Sequence, residues 1–302
     1  MVDAVVIGAG PAGLSAGLNL ARARRTVHVV DSNRPRNAAT LRSHGFLTRD
    51  GVSPLELRAL GRAELAKYPE ADCEQASVAA IVPGQSGGFS VTVSQTAGGA
   101  ERAVNARSIL IASGLVETLP DIEGVRVFYG TSLHSCVDCD AYEKSDAPLA
   151  LIGETDDLAA RAALISQWSS DLVVFTNGMG GVSADDEAAL ARWGARVERQ
   201  PIAEIVGERG EMTAVLLRDG ERVERSGGFV RPTWSTNLDY AAGLGIETDG
   251  EGHITVDSDG RTSVPGVYAA GDSVAPGPTQ MIIAAGFGAR TAAAINRDLI
   301  GL

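Results

Sequence analysis

Residues 3–23 of this chain read DAVVIGAGPAGLSAGLNLARA: an apolar run, a glycine-rich turn, then small residues at helical spacing. The turn fits G-x-G-x-x-G with Gly8, Gly10 and Gly13, and TVHVVDSN supplies a second apolar run ending in Asp31. No other feature restricts the fold so tightly. The first glycine makes the tight turn, the second lets backbone N–H groups approach a pyrophosphate, and the third lets helix pack on strand. Asp31 is placed to accept from a ribose hydroxyl. Strand, motif, helix, strand and acid in this order predict a nucleotide-binding βαβ unit and an α/β fold.

The middle of the chain repeats that unit imperfectly. APLALIGETDDLAARAALISQWSSDLVVFTNG, residues 147–178, again reads strand, turn, helix, strand, an internal duplication of the nucleotide-binding half-fold. Near the other end stands GRTSVPGVYAAGDSVAPGPTQMIIAAGFGARTAAAIN. It predicts a turn, a short strand Val267–Ala270, then Gly271 and Asp272, then a helix from about Gln280. Small residues on that helix permit close approach to a flat cofactor or to another helix.

With 302 residues, 44% of them hydrophobic, the chain has material for one large or two ordinary domains with real cores. A net charge of −12 argues against nucleic acid or an anionic membrane as partner, because such binding needs clustered Lys and Arg. The start, MVDAVVIGAG, carries acid rather than base and runs straight into a strand, and no apolar run reaches membrane-span length. The expectation is a soluble, cytoplasmic protein.

Three cysteines are present, and two stand close together in SCVDCDAYE, residues 135–143. In a reducing compartment such a pair is more often catalytic or metal-binding than a structural staple. Zinc needs four ligands, and beyond His134 and the distant Cys73 there is no second pair at zinc-like spacing, so no metal site is expected. Cys73 reads as a small packing residue. His134, and His44 in RSHGFLTRDG, are either structural or proton carriers.

The N-terminal fingerprint, the Gly271–Asp272 segment and SILIASG at 108–114 together resemble the two-dinucleotide-binding flavoproteins. With Cys-x-x-Cys-Asp just before the inserted strand, the chain resembles the low-molecular-weight thioredoxin reductase family over essentially its whole length. The resemblance implies two Rossmann-like domains: an FAD domain in two parts, residues 1–116 and 241–302, around an inserted domain at 117–240. It implies FAD held by Gly8, Gly10, Pro11, Ala12 and Gly13, by Asp31 and Ser32, by Gly114, and by Gly271, Asp272, Gln280 and Met281. It makes Cys136 and Cys139 a redox-active disulfide, with Asp140 as proton donor or acceptor beside His134; an ordinary helix cap is the plainer role for Asp140. The pairing agrees with thiol chemistry, since a cysteine at a helix start gains thiolate character. Asp138 departs from the usual small or apolar residue between the cysteines and should disfavour thiolate. A homodimer is also implied.

The inserted domain fails its own template. Where an NADPH-using relative carries a second glycine turn, this chain has GETDDL. Only Gly153 survives, and Glu154, Asp156 and Asp157 bring carboxylates to the pyrophosphate position. Each close like-charge approach costs on the order of a kcal/mol. The following strand ends in Thr176, Asn177 and Gly178, with no arginine for a 2′-phosphate. NADPH binding in the usual mode is therefore doubted. Relatives with a degraded nucleotide site include the dithiol oxidases of the gliotoxin and holomycin type and reductases fed by ferredoxin. SHGFLTRDG and GGFVRPTWSTN resemble the oxidase side, where Trp234 either walls a small-molecule pocket or packs in a core. The expectation is an FAD-dependent thiol–disulfide oxidoreductase acting on a small dithiol. The alternatives are a disulfide reductase with a thioredoxin-like partner and a non-catalytic redox sensor.

Overall fold

The computed structural model describes residues 1–302 except 86, 96–98, 275, 276 and 278. The chain opens with β1 (Val2–Ile7), α1 (Pro11–Arg22) and β2 (Val27–Asp31), the βαβ unit that the glycine motif predicts. Then come α2 (Pro54–Leu65), β3 (Ala71–Pro83), β4 (Phe89–Gln95) and β5 (Arg102–Ile111). Next are β6 (Val116–Thr118), α3 (Val125–Phe128), β7 (Leu133–His134) and α4 (Val137–Asp140). The repeat is β8 (Leu149–Ile152), α5 (Leu158–Ile165) and β9 (Leu172–Phe175). After α6 (Ala184–Ala191) and β10 (Ala195–Glu198) run β11 (Ile202–Glu208), β12 (Glu211–Leu217), β13 (Arg222–Glu224) and β14 (Gly227–Val230). The chain ends with β15 (Thr233–Ser235), β16 (Val267–Ala269) and α7 (Met281–Asp298).

Two compact units result. The first holds Met1–Ala38, Gly45–Val116 and Ser235–Leu302; the second holds Ala39–His44 and Glu117–Trp234. The return crossing falls at 235 rather than at the 241 read from sequence. The reason is burial: Ala241 is enclosed with Ile81, Phe89 and Ile111, and Leu238, Tyr240 and Leu244 pack on the same first-unit core. Residues 39–44 join the second unit because the chain at Ala39 lies flat against Gly130, where a Cβ would come 2.2 Å from the Ala39 carbonyl oxygen.

In the first unit β1 is flanked by β2 and β5, with Ile7 opposite both Val30 and Ile111 in parallel register. β3 extends the sheet on one side and β16 on the other, again parallel. The long β3 and β5 also pair antiparallel with β4 through their other halves. Val5, Ile109, Leu110 and Ile111 are fully buried, as expected of strands covered on both faces. In the second unit the parallel order is β10-β9-β8-β14-β7, and β8-α5-β9 repeats the β1-α1-β2 path. An antiparallel sheet β11-β12-β13 completes it. Among the described residues no helix is long and apolar enough to cross a membrane.

Glycine sets the spacing around α1. Gly8 sits at φ +103°, and a Cβ on Gly13 would come 1.9 Å from the Gly8 carbonyl oxygen. On α7 a Cβ at Gly288 would come 2.0 Å from the Ala12 oxygen, so the small residues of that helix admit another helix. Gly288→Val should lower unfolding stability by about 3 kcal/mol or more, since overpacking here has backbone as its obstacle. The urea midpoint measures it.

Candidate active site

Cys136 and Cys139 form a disulfide in the second unit, with Cα atoms 5.3 Å apart. Cys136 caps α4, which has only four residues, so the helix dipole offers little and acts only at its first turn. Val137 is buried and anchors the turn, whereas Asp138 is exposed, where water screens its charge. Cys73 stays a free thiol on β3, half-buried, and burial pushes that thiol up from its ordinary value.

Asp140 closes the α4 turn rather than capping its start, and its carboxylate goes to a histidine. His134 Nδ1 lies 3.1 Å from Asp140 Oδ1, and its Nε2 lies 2.7 Å from the Thr131 carbonyl oxygen. A carbonyl only accepts, so Nε2 carries a hydrogen in either charge state. Of the pair, Asp140 directly follows Cys139 in the chain and His134 stands two residues before Cys136. Lys144 adds a cation nearby: burial pulls its ammonium below the ordinary value, against the attraction of Asp140 and Glu143. His44 reaches the same region, with Nε2 3.5 Å from Glu143 Oε1.

The first unit carries the cofactor residues that the sequence proposed. Gly10 caps α1 without a side-chain bond, Pro11 occupies the first helical position, and a Cβ on Gly10 would meet nothing within 4 Å. The N-terminal donors of α1 therefore face open space, the arrangement that receives an anion. Asp31 Oδ1 accepts from the Ala9 N–H at 3.1 Å, while Oδ2 accepts from Arg58 at 2.7 Å and from Arg62. Ser32 stands next in the chain at the mouth of β2, half-buried. Arg36 grips Asp272 Oδ2 through Nε at 3.0 Å and Nη2 at 2.8 Å. Gln280 caps α7, and the Met281 sulfur accepts from Asn37 at 3.4 Å. Gly114 adopts φ +70° with open space beside it, and Tyr240 donates to the neighbouring Ser113 hydroxyl at 3.0 Å. Burial pushes the Tyr240 hydroxyl up to about 12. Ala275, Pro276 and Pro278 of the Gly271–Asp272 segment lie outside the described residues.

The equivalent turn of the second unit is filled from within. Leu158 is fully buried, and a Cβ on Gly153 would come 2.7 Å from its Cδ2. The 178–181 loop folds onto the turn, where a Cβ on Gly180 would meet Leu158 at 2.6 Å and one on Gly181 would meet Asp156 at 2.7 Å. Asp157 accepts from Thr155 at 2.6 Å and Arg161 at 3.0 Å, and is ion-paired with Arg231 Nε at 2.8 Å. Arg231 lies 4.2 Å over the Trp234 ring, and Glu154 accepts from Asn177 at 2.7 Å. Burial works against the Asp157 charge, but Thr155 and the two guanidiniums outweigh it and hold the carboxyl below its ordinary value.

Sequence reasoning missed the partners of these residues. Arg58 and Arg62, four apart on α2, share one helix face by periodicity, but nothing near Asp31 in the chain pointed to them. Arg36, Thr131 and Lys144 left no such trace.

The sequence pattern of the pyridine nucleotide-disulphide oxidoreductases matches residues 2–165 and 170–288. The chain belongs to that family. Thioredoxin reductase tcpT of Claviceps purpurea (strain 20.1) is 30% identical over 284 residues, 90% of this chain and 87% of the relative. The solved structure of HlmI is 38% identical with a TM-score of 0.91, covering 99% of this chain and 92% of its own. An oxidoreductase from Agrobacterium tumefaciens is 32% identical with a TM-score of 0.89, covering 99% and 98%. The family implies an enzyme with bound FAD. The open α1 N-terminus and the cleared space at Gly10 and Gly114 fit that group, and the backbone at Gly10 and Gly114 would receive it.

Asp140→Asn should slow opening of the disulfide by a small dithiol by about 100-fold or more while FAD stays bound. Quenched alkylation against time measures it. Asp157→Asn tests the filled turn. Its folded carboxyl lies below the unfolded value of 3.8, so its contribution is present above 3.8 and is lost as pH falls through the folded value. Wild type should be the more stable at pH 7, with the gap closing in acid.

Proposed function

We propose that this enzyme oxidises a small-molecule dithiol to its disulfide through the Cys136–Cys139 pair, passing the electrons by way of FAD to oxygen. One observation carries the direction of flow: the second nucleotide turn is occupied by Leu158, Asp157 and the 178–181 loop, which leaves a pyridine nucleotide a poor electron source. The 38% identity to HlmI and the resemblance to dithiol oxidases of the gliotoxin and holomycin type support it.

A substrate thiolate attacks one sulfur of the pair; the S–S bond breaks, a mixed disulfide forms, and the released enzyme sulfur carries the electron pair. The second substrate thiolate then attacks its partner sulfur, closing the substrate disulfide and freeing the other enzyme cysteine. His134 and Asp140 take up a proton beside Cys139. Lys144 keeps positive charge near Asp140. FAD, when bound, supplies a two-electron acceptor that reopens the cycle. A thioredoxin-like protein as substrate is the alternative that similarity to thioredoxin reductases favours.

An anaerobic titration separates these readings. A small dithiol should bleach the flavin stoichiometrically, while NADPH and NADH leave it oxidised over the same minutes; rapid bleaching by nucleotide would overturn the oxidase direction. Cys136→Ser, Cys139→Ser should retain FAD and lose dithiol bleaching, and a double variant that still turned over normally would sink the mechanism.

A further inference from the structure

One round of dithiol exchange moves two electrons and releases two protons: both substrate thiols lose a proton, and the enzyme sulfurs leave as thiolates when their bond breaks. The His134–Asp140 pair has room for one of those protons, because Nε2 is already committed to the Thr131 oxygen and only the Nδ1–Oδ1 gap remains. Asp140 directly follows Cys139 in the chain. The proton of the second substrate thiol needs an acceptor as well.

A second chain of exchangeable hydrogens ends at Ser135, the residue before Cys136. Glu117 Oε2 lies 2.5 Å from the Tyr129 hydroxyl, which lies 2.9 Å from the Ser135 hydroxyl. Ser135 is the backbone neighbour of Cys136. A carboxylate only accepts, so the Tyr129 hydrogen points to Glu117 and the tyrosine oxygen accepts from Ser135. Tyr129 thus gives one hydrogen and takes one, as the middle of a proton line requires. Glu117 Oε1 faces the Trp234 Nε1–H at 3.3 Å, and Trp234 is backed by Arg231 at 4.2 Å, which is itself tied to Asp157. The filled turn thereby braces the far end of the line. All these residues belong to the second unit.

We propose that Ser135, Tyr129 and Glu117 form a second proton line serving Cys136, complementary to His134 and Asp140 beside Cys139. The first proton released by the substrate dithiol is held between His134 and Asp140. The second passes from the attacking thiol to Ser135 as Ser135 gives its own to Tyr129 and Tyr129 gives its own to Glu117. Both return to solvent when the pair is reoxidised. The line rests on the thiol–disulfide chemistry proposed above and serves either direction of it.

The test is the rate at which dithiothreitol opens the Cys136–Cys139 disulfide of the holoenzyme, quenched by alkylation and counted by mass. Glu117→Gln and Tyr129→Phe should slow opening by about tenfold to a hundredfold at pH 7. In Glu117→Gln the rate should recover in proportion to added imidazole or acetate, small bases that leave the wild type unaffected. Rates within threefold of wild type in both variants, or slowed rates that no added base restores, would overturn the line and leave Glu117 a structural residue. Should Glu117→Gln lose its FAD, Tyr129→Phe, which removes a single oxygen, decides by its rate and its response to base. Dithiothreitol opens the bond whichever way electrons run in the cell. A wild type that shows no net dithiol oxidation under air therefore sinks the oxidase reading and leaves this comparison intact.

Discussion

Around α1, backbone meets backbone. Gly13 brings the helix onto the Gly8 carbonyl, and Gly288 brings α7 onto Ala12, at separations that no side chain tolerates. The first unit is organised by that contact: β1 must end where the turn begins, α7 must lie across α1, and the helix N-terminus is left open at Gly10. The same constraint builds the cradle and keeps it empty of side chains.

In the second unit the constraint is relaxed. Its β8-α5-β9 path copies the first, because alternating apolar strands and a right-handed crossover suffice for the topology. With leucine at position 158 and aspartate at 157, the turn instead recruits a loop, two arginines and a threonine to satisfy its own groups. The fold survives because those contacts supply hydrogen bonds and burial that a ligand would otherwise bring. Arg231 then turns to Trp234, and through Glu117 and Tyr129 the filled turn is tied to the segment carrying the cysteine pair.

Spacing alone exposed Gly8, Gly10 and Gly13, the strand ending in Asp31, the Cys136–Cys139 pair and Asp140 after it, since each signal lies within a few residues. The return crossing at 235 was out of reach, because it depends on the burial of Ala241 against Ile81 and Phe89, residues far away in the chain. His134 was visible as a candidate. Its commitment to Thr131 on one side and Asp140 on the other was not.

The sequence by itself determined the α/β class, the duplicated half-fold and the carboxylates in the second turn, because these rest on glycine conformation, apolar periodicity and local charge. Tertiary structure alone decided which groups meet. Asp31 with Arg58 and Arg62, Asp272 with Arg36, and Glu117 with both Tyr129 and Trp234 are joined by folding across separations that no periodicity spans. A hydrogen bond needs its two atoms within about 3 Å, and only the packed cores bring those residues so near.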